Sequence, residues 1–417
     1  MKNIAQRISD AGGRLYLVGG CVRDKVLGIS PKDFDCCVTG LSHNEFLELF
    51  PEAKIRGKDF SVFELNGYEI ALARRERKVK EGHDGFEIDI DKSLTIEDDL
   101  IRRDITINSM AFDVLEEKLI DPYGGVEDCK KKIIRATSEA FSEDPLRVYR
   151  VARFAASLGF TIDEETYLKM RLLREELKTL SVERVFEEFK KALSSEKPSR
   201  FFYELRRAEC LEIHFKEISD LIGVEQPIVY HPEGDAFVHT MEVLDRASEK
   251  TVDLRIRFAA LVHDFGKAKT PKDMWPHHYN HEALGRQCVI ELCKRLKLPI
   301  RWKKSGITAC LEHMKAGIFF KMKAPTRVDF LERNSKTLLG LKGLELIANS
   351  DSVRKNEIKF SKLGEEMLNC INARMLGIEG QDYNIIKEKV RSERIKWMKT
   401  KMEAEKASIE NDNYIIE

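Results

Sequence analysis

No sign of charge predominates: 71 Lys and Arg oppose 71 Asp and Glu, so the formal net charge is zero although 34% of residues are charged. That balance excludes a uniformly cationic nucleic-acid coat and an acidic disordered tail. No apolar run approaches the ~18 residues of a membrane span, and Met1-Lys2-Asn3-Ile4-Ala5-Gln6-Arg7 lacks the apolar stretch of a signal peptide. No CxxC spacing occurs among the nine cysteines, at 21, 36, 37, 129, 210, 288, 293, 310 and 370, which read as reduced and mostly buried thiols. Internal repeats of solenoid period and low-complexity stretches are also missing. A cytoplasmic protein with no membrane partner is expected. What is present is a chain of 417 residues, 42% of them apolar, enough for about two to four folded domains.

The first third mixes strand and helix signals. Leu15-Tyr16-Leu17-Val18 and Phe34-Asp35-Cys36-Cys37-Val38 are short β-prone runs, and Phe60 to Leu65 and Tyr68 to Ala73 flank Asn66-Gly67, a strong hairpin signal. A small, mostly antiparallel sheet carrying helices is expected. From about Ser142 the apolar residues recur at spacings of three and four, as in Leu146, Tyr149, Val151 and Phe154, and the rest reads as helix broken by a loop at 226–236. The fold class is therefore α+β, with a mixed head at 1–137, a helical neck and body at 138–228, a second helical region at 229–360 and a tail at 361–417. The Lys/Arg/Glu-rich stretch from Arg391 to Ala407 reads as a solvated helix, a nucleic-acid contact being the alternative.

Leu17 to Asp24 runs from a strand through Gly19-Gly20 into a helix, where glycine lets the backbone approach a phosphate and helix N–H groups point at it. Asp33-Phe34-Asp35 sets two carboxylates on one face of a strand. Their repulsion calls for a cation between them, and hard oxygen ligands suit Mg²⁺. Glu69 either completes that cluster or is an ordinary edge-strand charge. In such a site one ion activates an attacking hydroxyl while another holds a triphosphate and its leaving pyrophosphate. Arg102-Arg103 offer planar forks for phosphate or ribose, and Asp104 with Asn108 can bond sugar hydroxyls; taken singly, each reads equally well as a surface salt bridge.

Together, Gly19-Gly20-Cys21-Val22-Arg23-Asp24, the pair Asp33 and Asp35, Arg102-Arg103-Asp104 with Asn108, Asp121-Pro122-Tyr123-Gly124-Gly125, and Glu143 through Asp144, Pro145 and Arg147 to Phe154 form five ordered motifs. In that order they resemble the class II template-independent tRNA nucleotidyltransferases, the CCA-adding enzymes of the polymerase-beta-like superfamily, over nearly the whole chain. The resemblance implies a polymerase-beta-like head using Mg²⁺, with CTP and ATP as substrates and Gly20, Arg23, Arg103, Asp104 and Asn108 at the nucleotide. It also implies that Asp144 and Arg147 serve as a protein template for cytosine and adenine. By spacing these two form an i, i+3 pair in the first turn of a helix capped by Ser142, and an intrahelical salt bridge is the plain alternative. Arg150 and Arg153 would steady them or contact triphosphate. The loop from Arg74 to Asp98, with Arg75, Arg77, Lys78 and Lys80, is long enough for the mobile element such enzymes use in switching from C to A. Partner tRNA would be read by the shape of its acceptor and T-arm, through basic stretches such as Lys130-Lys131-Lys132 with Arg135, Lys190-Lys191, Arg206-Arg207, Lys303-Lys304 and Lys321 to Arg327. Bacterial poly(A) polymerases share the head motifs, but Gly57-Lys58-Asp59-Phe60-Ser61-Val62-Phe63 differs from their arginine-rich segment and is similar to that of the tRNA enzymes.

A second constellation follows the loop: His239, the doublet His263-Asp264, and Asp351 on successive helices can converge on one cation. In order they resemble the HD phosphohydrolase superfamily. That resemblance implies a divalent ion such as Ni²⁺, Mn²⁺ or Mg²⁺ and hydrolysis of 2′,3′-cyclic phosphates, 2′-nucleotides and phosphate esters. His278, His281 and His313 either add ligands, bind the scissile phosphate, or are structural. The chain is expected as a monomer or a homodimer. A poly(A) polymerase, or an HD phosphohydrolase with a degenerate RNA-binding head, stands as the alternative function.

Overall fold

The computed structural model describes residues 1–56, 62–78, 86–89, 91–351 and 357–414. The chain divides into two compact units, Met1–Ala192 with Arg200–His214 and Leu193–Ser199 with Phe215–Glu417.

The strands of the first unit are β1 (Arg14–Val18), β2 (Asp35–Thr39), β3 (Lys54–Arg56), β4 (Val62–Leu65), β5 (Tyr68–Leu72), β6 (Arg75–Lys78), β7 (Phe86–Asp89), β8 (Ala111–Asp113) and β9 (Leu119–Ile120). Seven of them form one sheet in the order β3-β4-β5-β2-β1-β8-β9, and β6 pairs with β7 in a hairpin of its own. The sheet is mostly antiparallel, as expected, with a single parallel pairing, β2 with β5. The chain leaves β2 through the helix His43–Leu49 and turns at β3 and β4, so β5 returns parallel to β2. Asn66 and Gly67 both take positive φ, 51° and 82°, which a two-residue turn of this hand requires. Alternation puts Leu15, Cys36, Val38, Phe63 and Ile70 on one face under Ile4, Ile8, Phe46 and Phe50. It puts Tyr16, Val18, Cys37 and Ala111 on the other, under Ile96 and Leu100. The sheet is thus covered on both sides, which is why adjacent Cys36 and Cys37 are both buried as free thiols. The region beyond Ser142 is helical apart from one short strand, Thr161–Ile162, paired in parallel with Ile133–Ile134.

In the second unit the helices Ala236–Lys250, Leu254–Val262, Ile300–Gly317 and Gly340–Asp351 share a core that includes Val243, Ala247, Ala259, Ala260, Ala309 and Ile347. Small alanines there let helix axes approach closely. The tail helix Tyr383–Tyr414 corrects the solvated reading of Arg391 to Ala407. It buries Val390 and Met398 and pairs Arg391 with Asp329 and Arg394 with Glu332, a stripe at i, i+4 and i+8 that the abundant charge concealed. Among the described residues no helix is long and apolar enough to cross a membrane.

Candidate functional site

The head site forms where β1 ends and β2 and β5 begin. Register pairs Val18 with Asp35 and Asp35 with Glu69, and residues aligned across a parallel pair point to the same face. Asp33, expected on the same strand as Asp35, lies in the bend just before it. Asp33, Asp35 and Glu69 do not close as a trio to within 4.8 Å, leaving an open, water-facing edge. Burial, with the charge of Asp33, raises the Asp35 carboxyl above its ordinary value even though Arg103 opposes the rise. Gly19 turns the chain at φ 73°. A Cβ there would lie 3.2 Å from Arg103 Nη1 and 3.8 Å from Asp35 Oδ2, so Gly19, ahead of Gly20, is where backbone, guanidinium and carboxylate meet.

The arginine pair is held from below. Asp99 accepts from Arg102 through Oδ1 and from Arg103 through Oδ2, at 2.9 Å from Arg103 Nη2. Burial opposes ionisation of Asp99, but the two arginines overcome it and hold its carboxyl at about 2. Arg23 and Asn108 face each other rather than open space: Arg23 Nη1 donates to Asn108 Oδ1 at 2.8 Å, and Arg23 Nη2 pairs with Asp24 at 2.7 Å. Asn108 Nδ2 donates to Asp104 Oδ1 at 3.2 Å and Arg150 Nε to Asp104 Oδ2 at 2.7 Å, so four expected nucleotide contacts form one buried strut. Despite burial, Arg150 and the Asn108 amide hold the Asp104 carboxyl at about 2. Folding therefore favours its ionised form, a contribution complete above the ordinary 3.8 and lost as pH falls toward 2. The unfolding free energy from urea titration should drop across that window by roughly 2 kcal/mol on this account. Asp104→Asn is expected to flatten that part of the acid profile, and an unchanged slope would refute the assignment.

Asp121-Pro122-Tyr123-Gly124-Gly125 is a cap. Asp121 accepts from the N–H groups of Gly125 and Val126 at 2.7 and 2.9 Å, and a Cβ on Gly125 would meet the Thr106 carbonyl at 2.4 Å.

The neck departs from expectation. Ser142 belongs to a 3₁₀ turn, Glu139–Glu143, and the helix starts only at Leu146, because Asp144 is extended and Pro145 occupies the cap. Asp144 therefore stands outside the helix: Oδ1 accepts from Leu146 N at 3.0 Å and Oδ2 takes Arg184 Nη2 at 2.7 Å. Arg147, buried, donates to the Ala140 carbonyl and, at 2.6 Å, to the Arg102 carbonyl. Arg153 pairs with buried Glu188 at 2.8 Å and lies 3.6 Å from the Phe154 ring centroid. Among the expected basic surfaces, Arg135 is held by Asp128 and Asp163, and Arg327 is buried against carbonyl groups. The side chains of Arg75, Arg77 and Lys78, all of Lys80, and residues 57–61 of the poly(A) comparison lie outside the described residues.

In the second unit four imidazoles turn Nε2 inward. His239 Nε2 lies 2.9 Å from Asp351 Oδ1, and His263 Nε2 lies 3.2 Å from Asp264 Oδ2 and 3.4 Å from Asp351 Oδ1. His281 and His313 each bring Nε2 to 3.3 Å from Asp264 Oδ1. Outer nitrogens are occupied: Nδ1 of His263 donates to Ala260 O at 2.7 Å, of His281 to His278 O at 2.7 Å, of His313 to Ala309 O at 3.0 Å, and of His239 to Glu233 Oε1 at 2.5 Å. That arrangement leaves the inner lone pairs for a cation. His239, His263, Asp264 and Asp351 form one grouping within 4.8 Å and Asp264, His281 and His313 another, with Asp264 common to both. His263 Nε2 and Asp264 Oδ1 are buried without a hydrogen-bond partner, which proteins rarely tolerate. Imidazole and carboxylate donors suit a transition-type dication, so these residues fit the expected metal. Burial disfavours a charged His263, yet Asp264 and Asp351 raise it to about 10, the mark of a field that a cation would neutralise. His278 stands apart, bonded to Thr270 Oγ1 at 2.7 Å and Glu225 O at 2.8 Å.

Gly266 makes this convergence possible, since a Cβ there would lie 1.8 Å from the His281 carbonyl. Gly266→Ala should cost about 3 kcal/mol by overpacking and weaken metal retention, both measurable by thermal unfolding with and without chelator.

Sequence reasoning missed the supporting residues. Asp99 had a signal, an acid three and four residues before two arginines on a helix, and so had Lys267, whose Nζ lies 2.6 Å from Asp264 Oδ2 one turn on. Arg184, Glu188 and Glu233 had none, because their partners lie across tertiary contacts or a loop.

Residues 15–135 match the family described as Poly A polymerase head domain, 159–222 the probable RNA and SrmB-binding site of polymerase A, and 236–331 the HD domain. A multifunctional CCA protein of Haemophilus influenzae strain PittGG is 45% identical over 334 residues, covering 77% of this chain and 79% of the relative. One from Shewanella denitrificans is 44% identical over 327 residues, covering 77% and 78%. The fold is shared with a Thermotoga maritima CCA-adding enzyme complexed with tRNA (TM-score 0.64, 19% identity, 98% of this chain and 94% of that one). It is shared too with a CCA-adding enzyme in complex with CTP (TM-score 0.63, 19% identity, 95% and 90%). At 45% identity over about four-fifths of a relative's length, this chain belongs to the family of multifunctional CCA proteins.

Proposed function

We propose that the chain adds C, C and A to the 3′ end of tRNA from CTP and ATP, and that its HD region hydrolyses phosphate esters. The observation that carries the first activity is the register setting Asp35 beside Glu69, with Arg103 and Gly19 at the same edge. Asp33, Asp35 and Glu69 would hold Mg²⁺, which when bound supplies charge neutralisation for the attacking hydroxyl and the leaving pyrophosphate. Gly19 and Gly20 let the triphosphate approach the backbone, and Arg103, braced by Asp99, orients it. Asp104, Asn108, Arg23 and Arg150 keep this wall rigid. Asp144 and Arg147 read the base edge, Asp144 aimed by Arg184, while Arg153 is steadied by Glu188. To reach a base, Arg147 exchanges one of its carbonyl acceptors for an acceptor on the nucleotide.

For the second activity, His239, His263, Asp264 and Asp351 would hold one dication, and Asp264, His281 and His313 a second, supplying Lewis acidity at the phosphate. Water adds its oxygen to phosphorus, the P–O ester bond breaks, and the leaving ribose oxygen takes the proton. Hydrolysis of a cyclic or terminal phosphate on a damaged tRNA end restores the hydroxyl that the head extends. The division of labour follows the head at 1–137, neck and body at 138–228, HD region at 229–360 and tail at 361–417.

The test is incorporation of each labelled NTP, with Mg²⁺, into one tRNA ending before CCA, after the first C, or after both. Two CTP additions, one ATP addition and a stop support the reading. Long A tails on any RNA would reassign the head as a poly(A) polymerase, and no incorporation at all would leave only the HD activity.

A further inference from the structure

Beside the His-Asp cluster lies a cavity of about 520 Å³, lined by Val229, Tyr230, His231, Arg246 and two of the cluster's own side chains, His239 and Asp351. Its volume falls within the range of small-molecule sites. One lip of it is unusual: Ile228, Val229 and Tyr230 are 72%, 88% and 76% exposed. Their segment is held in place, since Tyr230 N and His231 N donate to Pro227 O at 3.0 and 2.9 Å, Gly234 N to His231 O and Gln226 N to Gly234 O, each at 2.9 Å. An ordered run of exposed apolar side chains at a cavity mouth marks a surface meant to be covered. On the same wall Arg246 is fixed through Nε to Ser350 O at 2.6 Å and through Nη1 to Glu242 at 3.0 Å, setting a guanidinium in the wall alongside Glu242 and Glu233, which also line the cavity.

Resting on the phosphohydrolase reading above, we propose that Tyr230 is a stacking platform for a nucleobase, so that the HD site selects nucleotide phosphates over small phosphate esters. A nucleotide is a phosphate ester whose far end is a flat π face. This cavity presents metal ligands for the one end and an exposed aromatic ring for the other. Stacking is indifferent to base identity, so the platform tolerates any terminal nucleotide. A free nucleotide and the last nucleotide of an RNA offer the same chemistry.

The test uses the full chain with Mn²⁺ and compares kcat/KM for adenosine 2′-phosphate, for a short RNA ending in a 2′,3′-cyclic phosphate, and for glycerol phosphate. Tyr230→Ala is expected to lower the nucleotide-to-glycerol ratio by about 5- to 100-fold, chiefly through KM, and Tyr230→Trp to preserve it. Val252→Ala, at a site 88% exposed in the same unit, serves as the matched control. A fall with only the free nucleotide, or only the RNA, supports the platform and names its source. A change of less than about twofold in both arms would overturn it. Saturation-transfer NMR supplies a readout without turnover: with metal chelated and the head's nucleotide site saturated with CTP, the adenine H2 and H8 signals should receive saturation from the wild type and lose it in Tyr230→Ala. If the wild type hydrolyses none of the three substrates, the phosphohydrolase reading fails, and the NMR comparison still decides whether Tyr230 holds a base.

Discussion

Replacing Asp35 with asparagine should reduce incorporation of both CTP and ATP by at least about 1,000-fold, because losing one carboxylate that would hold the ion forfeits several kcal/mol of charge stabilisation in the transition state. The same substitution should leave hydrolysis by the second unit intact. Asp35 is exposed at the start of β2, so the substitution removes no buried contact, and Tm measured in chelator should be unchanged. Incorporation within tenfold of wild type would remove Asp35 from the site; a fall in Tm would mean that the carboxylate holds the fold together. Asp99→Asn makes the contrast, because that carboxylate is held at about 2 between two arginines and its loss should lower both activity and stability.

His263→Ala is the second large effect. It removes an inner nitrogen that has no protein hydrogen-bond partner, and should weaken binding of Mn²⁺ or Ni²⁺ by more than the 10- to 100-fold typical of losing an outer-shell partner. Phosphate-ester hydrolysis should disappear, while addition of C, C and A continues. His263 is a better choice than Asp264, whose carboxylate faces Lys267 at 2.6 Å and all four of the imidazoles. Truncating it would strand a buried cation and risk 3–5 kcal/mol of stability, roughly. Metal content after dialysis and hydrolysis rates check the prediction together. Full metal retention with lost hydrolysis would make His263 a substrate contact, and retained hydrolysis would move the chemistry elsewhere.

Much of both sites was legible before any coordinates. Asp33 and Asp35 two apart, the double glycine before a helix, and a His-Asp doublet with a histidine and an aspartate far on either side are short-range patterns whose chemistry survives any plausible packing. The hairpin at Asn66-Gly67 was legible because φ > 0 at both positions is demanded locally. The neck was not. Its spacing suggested that Asp144 and Arg147 share a helical face, but Pro145 delays the helix by three residues and leaves Asp144 extended. Charge content misled at the tail, where a few apolar residues, among them Val390, Trp397 and Met398, and ion pairs from Arg391, Arg394 and Lys401 decide docking among many solvated lysines and glutamates.

The sequence by itself determined the element types and the residues able to carry the two proposed chemistries, since those follow from side-chain functional groups and local spacing. Only the tertiary structure decided which of those residues stand at an open edge and which are tied to one another. Arg23, Asn108 and Arg150 gather on Asp104, Arg184 reaches Asp144 across 40 positions, and Gly266 gives the space that lets His281 and His313 share Asp264 with His263. The physical reason is that pairing of buried charge and close backbone approach are decided between elements distant in sequence, where no local periodicity records the partner.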